Sequence, residues 1–235
     1  MPYRQTEGIA KGHAKGKVPS IPNYTTINRR INRLDINIKD DCSSNKEPKN
    51  NYIIIAIDST GIKITNRGQW LRDKWNIRKG YLKIHITVNI KSKKILSMKV
   101  TDEHVHDSKV LPKLVDDIVK SKNITVDKII ADGAYDSNAV FEYLADNGIL
   151  SCIKVRRNAR VKKTNNTFRN LSVISQKNDL QRWKDSVSYG KRWIVESVFS
   201  CIKRTFGEYV YSVRLKNMIQ EMMLKVSLYN KMISI

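Results

Sequence analysis

The sequence predicts an α/β protein in which a mixed sheet is flanked by helices, with a short basic helical segment in front of it. Three observations carry that expectation: apolar runs of strand length at Ile53-Ile54-Ile55-Ala56-Ile57 and at Val126 to Ala131, period-two alternation from Lys83 to Ile90, and helical apolar faces between and after them. With 235 residues, 40% of them hydrophobic, the chain can bury the core of one sizeable domain with an appendage, or of two small ones.

Residues 1–50 are polar, carry Pro2, Pro19, Pro22 and Pro48, and are periodic only from Tyr24 to Leu34. There Thr25 or Thr26 is expected to cap a short helix, with Ile27, Ile31 and Leu34 on one face and Arg29, Arg30 and Arg33 on the other. Such a helix suits a DNA backbone, and equally suits a solvated position on the main domain. From Asn51 the texture changes. Tyr52 to Ile57 reads as a buried strand that emerges at Asp58 into a turn at Ser59-Thr60-Gly61, and Lys83 to Ile90 and Lys94 to Val100 read as two more strands. Asp107-Ser108 caps a helix with Val110, Leu111, Leu114, Val115 and Ile118 inward. Val126 to Ala131 is a short buried strand, Asp136-Ser137 caps a second helix that stops at Asn147-Gly148, and Ile149 to Val155 is a fifth strand. The expected order is β-β-β-α-β-α-β. Lys154 to Lys184 then holds ten Lys or Arg against one acid, Asp179, with Phe168 and Trp183 interleaved. Two helical stretches follow, from about Val187 to Gly207 and from Lys216 to Lys231.

Forty-four Lys and Arg against 22 Asp and Glu give a net charge of +22. That excess points to a polyanionic partner, since cations that neutralise phosphates release counterions and supply most non-specific affinity for nucleic acid. A Lys-, Ile- and Asn-rich composition also follows from an AT-rich genome, so the clustering of charge in 154–184 weighs more than its total. No apolar run approaches the ~20 residues that cross a bilayer, and Met1 to Gln5 lacks a signal peptide's apolar stretch. A soluble, cytoplasmic protein is expected. Cys42, Cys152 and Cys201 are far apart and form no C-x-x-C pair, which argues against a disulfide framework or a zinc cluster.

Three acids stand out by position. Asp58 and Asp132 each follow a buried apolar run, and carboxylates at the ends of neighbouring strands converge on one point of a sheet's edge. Taken singly, each also reads as a turn residue. Glu196 shares a helical stripe with Tyr189, Arg192 and Lys203, all four falling within about 60° of one another at 100° per residue. An exposed Arg192–Glu196 salt bridge is the plainer reading of that stripe. Three carboxylates without Cys or His suit a hard cation such as Mg²⁺, which leaves positions open for substrate phosphates. Arg192 and Lys203 would then meet phosphates beside the scissile bond, with Tyr189 nearby. His104 and His106 have the spacing of a metal pair, but before a helix cap they read as structural.

The spacing Tyr-x2-Arg-x3-Glu-x6-Lys, together with Ile57-Asp58-Ser59-Thr60 and Ala131-Asp132-Gly133-Ala134-Tyr135-Asp136, resembles the DDE transposases of bacterial and archaeal insertion sequences in the four/five superfamily. His106-Asp107-Ser108 and Arg156-Arg157-Asn158-Ala159-Arg160 are similar to further stretches common there, and the resemblance runs from about Tyr52 to Tyr229. It implies an RNase H-like (retroviral-integrase-like) catalytic domain over 51–235, with a basic insertion at about 156–186. Residues 1–50 would be a partial N-terminal DNA-binding or linker region. The implied catalytic and metal-binding triad is Asp58, Asp132 and Glu196, holding two Mg²⁺ ions for which Mn²⁺ would substitute. Tyr189, Arg192, Lys203, Arg156, Arg157, Arg160, Lys162 and Lys163 are the expected DNA contacts. The implied assembly is a homodimer that synapses double-stranded DNA at terminal inverted repeats, cuts phosphodiester bonds and joins 3′ ends to target DNA, in a prokaryotic nucleoid. Trp193 resembles a residue near the distorted terminal base, a core Trp being the alternative. Relatives carry a longer N-terminal region, which raises a late start codon or a decayed element, and with it the alternative of a non-catalytic DNA-binding remnant that represses transposition.

Overall fold

The computed structural model describes residues 3–14, 20–34, 36, 38, 52–64, 81–102, 104–122, 124–163, 166–212 and 214–234. Cys42 lies outside them. In the N-terminal part are two helices, α1 (Tyr3–His13) and α2 (Tyr24–Arg33). Asn23, not Thr25 or Thr26, caps α2, its side chain accepting the Thr25 N–H at 2.9 Å. Glu7 ties the two helices by accepting the Tyr24 N–H at 2.8 Å. The Gln220 amide then anchors α2 to the body by donating to the carbonyls of Ile31 and Leu34.

The body is built on β1 (Tyr52–Ile64), β2 (Tyr81–Asn89), β3 (Ile95–Asp102), β4 (Thr125–Ala131), β5 (Leu150–Ile153) and β6 (Tyr209–Val210). The sheet order is β3-β2-β1-β4-β5, with β6 beside the distal end of β1. β1, β2 and β3 pair antiparallel, and β4 and β5 join parallel. Parallel neighbours need crossovers, supplied by α3 (Asp107–Lys122) between β3 and β4 and α4 (Asn138–Asp146) between β4 and β5. The β-β-β-α-β-α-β order and the mixed sheet flanked by helices are those expected of an RNase H-like domain.

Alternation along β1 divides the core. Ile55 and Ile57 pack with Leu111, Leu114 and Phe141 under α3 and α4. Ala56, with Ile84 and Ile86, packs against Val195, Phe199 and Val226 of α7 (Trp193–Phe206) and α8 (Leu215–Met232). Between β5 and α7 lie α5 (Thr167–Asn178) and α6 (Leu180–Ser186), the latter seated by Trp183 on Ile130, Cys152 and Tyr189.

Further local expectations change. β1 does not turn at Ser59-Thr60-Gly61, because β2 supplies partners from Asp58↔Ile86 out to Lys63↔Tyr81. β5 is shorter than 149–155, because Gln176 intercepts its backbone, accepting the Val155 N–H at 3.0 Å and donating to the Ile153 carbonyl at 2.9 Å. The stretch from Val187 is not one helix: Ser188 sits in the left-handed region at φ 56°, a 3-10 turn spans Tyr189–Arg192, and only then does α7 begin. Ser137, rather than Asp136, caps α4. No helix among the described residues is long and apolar enough to cross a membrane. Cys152 is buried, which pushes its thiol up to about 11, and Cys201 is exposed.

Candidate active site

The parallel β1–β4 ladder ends at Ala56↔Ile130. Two residues further on stand Asp58 and Asp132, where β4 has ended and β1 continues against β2. Asp132 Oδ1 accepts the Ala134 N–H at 2.9 Å and so opens the 3-10 turn Gly133–Tyr135. Asp58 Oδ1 accepts the Ser59 N–H at 2.8 Å, leaving Oδ2 for Arg192 Nη1 at 3.1 Å. Through Nη2 the same guanidinium donates to Glu196, in the first turn of α7. The i,i+4 salt bridge that the sequence offered as the plainer reading therefore exists, and it also reaches into the sheet.

Burial drives the Asp58 carboxyl up to about 6; the Ser59 N–H opposes this, Asp132 adds to it, Arg192 opposes it and Glu196 adds to it. A partly buried set of acids with this mutual repulsion is stabilised by a positive charge, which Arg192 provides here. The donor set is all carboxylate oxygen, so Asp58, Asp132 and Glu196 fit a hard divalent cation by chemistry. As the side chains stand, no group of three His, Cys, Asp or Glu among the described residues is gathered to hold an ion, and Arg192 lies between two of the three acids.

Lys203 Nζ donates to Thr60 Oγ1 at 2.8 Å, which fastens the far end of the α7 stripe to β1 two residues past Asp58. Tyr189 departs from the stripe: it belongs to the 3-10 turn, is 9% exposed, and meets Trp183 with ring centroids 5.2 Å apart. Burial pushes its phenol up to about 12. Trp193 is 56% exposed, so it is not a core residue. His104 and His106 are both exposed, and the His106 carbonyl accepts the Lys109 N–H at the start of α3.

Of the basic residues singled out in the sequence, Arg156 lines a cleft with Asp132, and Arg156, Arg160 and Lys162 line a second cleft next to it. Arg157 and Lys163 are exposed and line neither. Lys154 and Lys184 stand beside Asp132 in the first cleft. Both lay inside the positive stretch that the sequence displayed, but only the docking of α6 through Trp183 brings Lys184 to the acids. Asp136 was legible as a cap and as the end of the Ala131-to-Asp136 stretch. It is 4% exposed, receives Arg169 Nε at 2.7 Å and Nη2 at 3.1 Å, and accepts the Arg156 N–H at 2.9 Å.

Asp58 and Asp132 thus stand just past the end of the pairing between the two central parallel strands, faced by the helix that carries Glu196. The chain belongs to the transposase DDE domain family: a sequence model of that family matches residues 49–231, and a second transposase DDE domain model matches residues 1–67. Among solved structures the chain is similar to piggyBac transposase in a synaptic complex with hairpin DNA, at 11% identity over 77% of this chain and 46% of that one, with a TM-score of 0.45. It is also similar to the Drosophila P element transposase in a strand transfer complex, at 14% identity over 63% of this chain and 38% of that one, with a TM-score of 0.41. The chain spans less than half the length of either.

Proposed function

We propose that this chain is the catalytic part of an insertion-sequence transposase, which cleaves DNA phosphodiester bonds at terminal inverted repeats and joins the 3′ ends to target DNA. The observation that carries it is the shared register of Asp58 and Asp132, two residues past the last β1–β4 pair, beneath the helix that bears Glu196. On this reading 51–235 is the catalytic domain, 1–50 is a partial DNA-binding or linker region, and a homodimer brings two ends together.

Asp58, Asp132 and Glu196 hold divalent metal, with Mg²⁺ as the working ion and Mn²⁺ as a substitute. When bound, the metal supplies charge neutralisation at the scissile phosphate and a more acidic attacking water or 3′-hydroxyl. The protein's own groups position the substrate. Arg192 turns its fork from the carboxylates to a phosphate, and Lys203, held by Thr60, places a point charge one helical stripe further along. The basic segment from Lys154 onward takes the flanking backbone.

The test is Mg²⁺-dependent cleavage of a fragment carrying the gene's genomic flanks, comparing the wild type with Glu196→Gln. Cleavage at the repeat boundary by the wild type alone is expected. Binding without cleavage by both proteins would overturn the catalytic reading in favour of a DNA-binding remnant, and cleavage indifferent to the repeat would indicate a general nuclease.

A further inference from the structure

α5 lies inside the most basic stretch of the chain, yet its outward face carries no charge. Phe168, Leu171 and Ile174 are 54%, 57% and 44% exposed there. At 100° per residue they share an arc of about 120° with Thr167, Ser175 and Asn178, all exposed, and no Lys, Arg, Asp or Glu falls within it. The opposite face is taken up by the body: Val173 is buried in the core, Gln176 holds the backbone of Ile153 and Val155, and Arg169 grips Asp136. The helix is thus fixed in place with three large apolar side chains held out into water. A face without cations contributes no counterion release to DNA binding, and contiguous exposed apolar side chains mark a protein interaction surface.

The two ends of the face decide what fits it. Before α5 stands Lys163, exposed and lining neither cleft; after it stands Asp179, the one acid among the ten cations of 154–184. Asp179 Oδ1 accepts the Arg182 N–H at 2.9 Å, and neither Asp179 nor Lys163 is in a salt bridge with another described residue. A chain of net charge +22 can approach a copy of itself only where charge is absent or opposite. Antiparallel pairing of α5 with itself meets both conditions. With a twofold axis at Leu171, that residue meets its own copy, Phe168 meets the partner's Ile174, and Lys163, ahead of the helix, comes towards the partner's Asp179. The positive start of each helix then faces the negative end of the other. Parallel pairing would instead set Lys163 on Lys163 and Asp179 on Asp179.

We infer that the outward face of α5 is a homodimer interface, in which two copies pack antiparallel about Leu171. This gives a surface to the homodimer of the reading above and rests on that reading only for what the dimer does with DNA. A 12-residue helix is about 18 Å long. Its exposed half is smaller than the about 800 Å² per partner of a standard interface, so the expected dimer is micromolar and concentration-dependent.

The test is sedimentation velocity of the full chain without DNA, from about 1 to about 100 μM. The wild type is expected to pass from monomer to dimer, and Leu171→Lys, which sets two like charges together on the axis, to dimerise at least about tenfold more weakly. Lys163→Glu is expected to weaken the dimer several-fold, and the double variant Lys163→Glu/Asp179→Asn to regain part of it, since Asn keeps the cap of α6. On oxidation Leu171→Cys is expected to give a covalent dimer above the wild-type background, and Asn178→Cys none, its two copies lying about 20 Å apart. Thermal melting shows whether each variant is folded, and Leu171→Ser serves where the Lys variant is not. A wild type that stays monomeric, or grows into open-ended assemblies, overturns the second copy as the occupant. A dimer untouched by Leu171→Lys overturns the face, and one untouched by Lys163→Glu, or cross-linked equally at position 178, overturns the antiparallel register. A dimer that behaves as expected but does not cut the flank fragment in Mg²⁺ overturns the catalytic reading and leaves the interface standing.

Discussion

Asp58 and Asp132 stand equally far beyond Ala56 and Ile130, the last paired positions of two parallel strands. Because side chains alternate with period two, both acids fall on the sheet face that carries Ala56, Ile86 and Ile130, which is the face covered by α7 and the Tyr189–Arg192 turn. A one-residue slip in the β1–β4 register would send one of them to the opposite face.

The raised Asp58 pKa makes the metal-free protein less stable as pH rises. The folded state keeps a proton there up to about pH 6, whereas the unfolded chain releases it near 4, so stability falls across that window and the full penalty, about 3 kcal/mol, stands above it. Asp58→Asn should flatten the dependence of Tm on pH between 4 and 6.5. Added Mg²⁺ should raise the Tm of the wild type at pH 7.5 and have little effect on the variant.

Asp107 shifts the other way. Burial opposes its ionisation, but His85 and Lys83 outweigh burial and hold the carboxyl at about 2. Lys83 Nζ lies 2.7 Å and His85 Nδ1 3.2 Å from its Oδ1. The resulting stability, about 2 kcal/mol, is present above pH 4 and lost as pH falls from 4 to 2. Asp107→Asn should lower the pH 7 stability by about that amount and remove the acid-induced loss in this window, as followed by urea denaturation.

Removing Asp136 would strand the Arg169 guanidinium, 13% exposed, without its partner. Asp136→Ala should cost about 3–5 kcal/mol, and the double variant Asp136→Ala/Arg169→Met clearly less than the sum of the singles. Denaturant midpoints of the four proteins in the cycle measure the coupling.

DNA affinity should fall steeply with salt, each phosphate contact contributing about 0.9 to the slope of log K against log salt. Neutralising Arg156, Arg160 and Lys162, which line the clefts, should flatten that slope by about 3, and neutralising Arg157 and Lys163 by less than about 1. Anisotropy titrations from 50 to about 200 mM salt distinguish the two sets.

The element order, the two helical faces under the sheet and the candidate acids were legible because each is written in local period or in residue type at a strand end. The errors were local as well. Ser59-Thr60-Gly61 looks like a turn until β2 is laid against it, and Ser188 carries no sign in sequence that its φ will break the helix before Arg192. Tyr189 was read as a surface residue on the Arg192 stripe; the break turns it onto Trp183.

The sequence by itself determined which segments become strands and helices, the net positive charge and which three carboxylates are candidates, since hydrophobic period and side-chain chemistry are properties of neighbours in the chain. Only the tertiary structure decided that Arg192 would bridge Glu196 to Asp58, 134 positions away, that Lys184 would line the same cleft as Asp132, and that Asp136 would lock the basic segment to the turn beside it. Those contacts depend on strand register and on where helices dock, which are set by burial across the whole core and leave no periodic trace at the residues themselves.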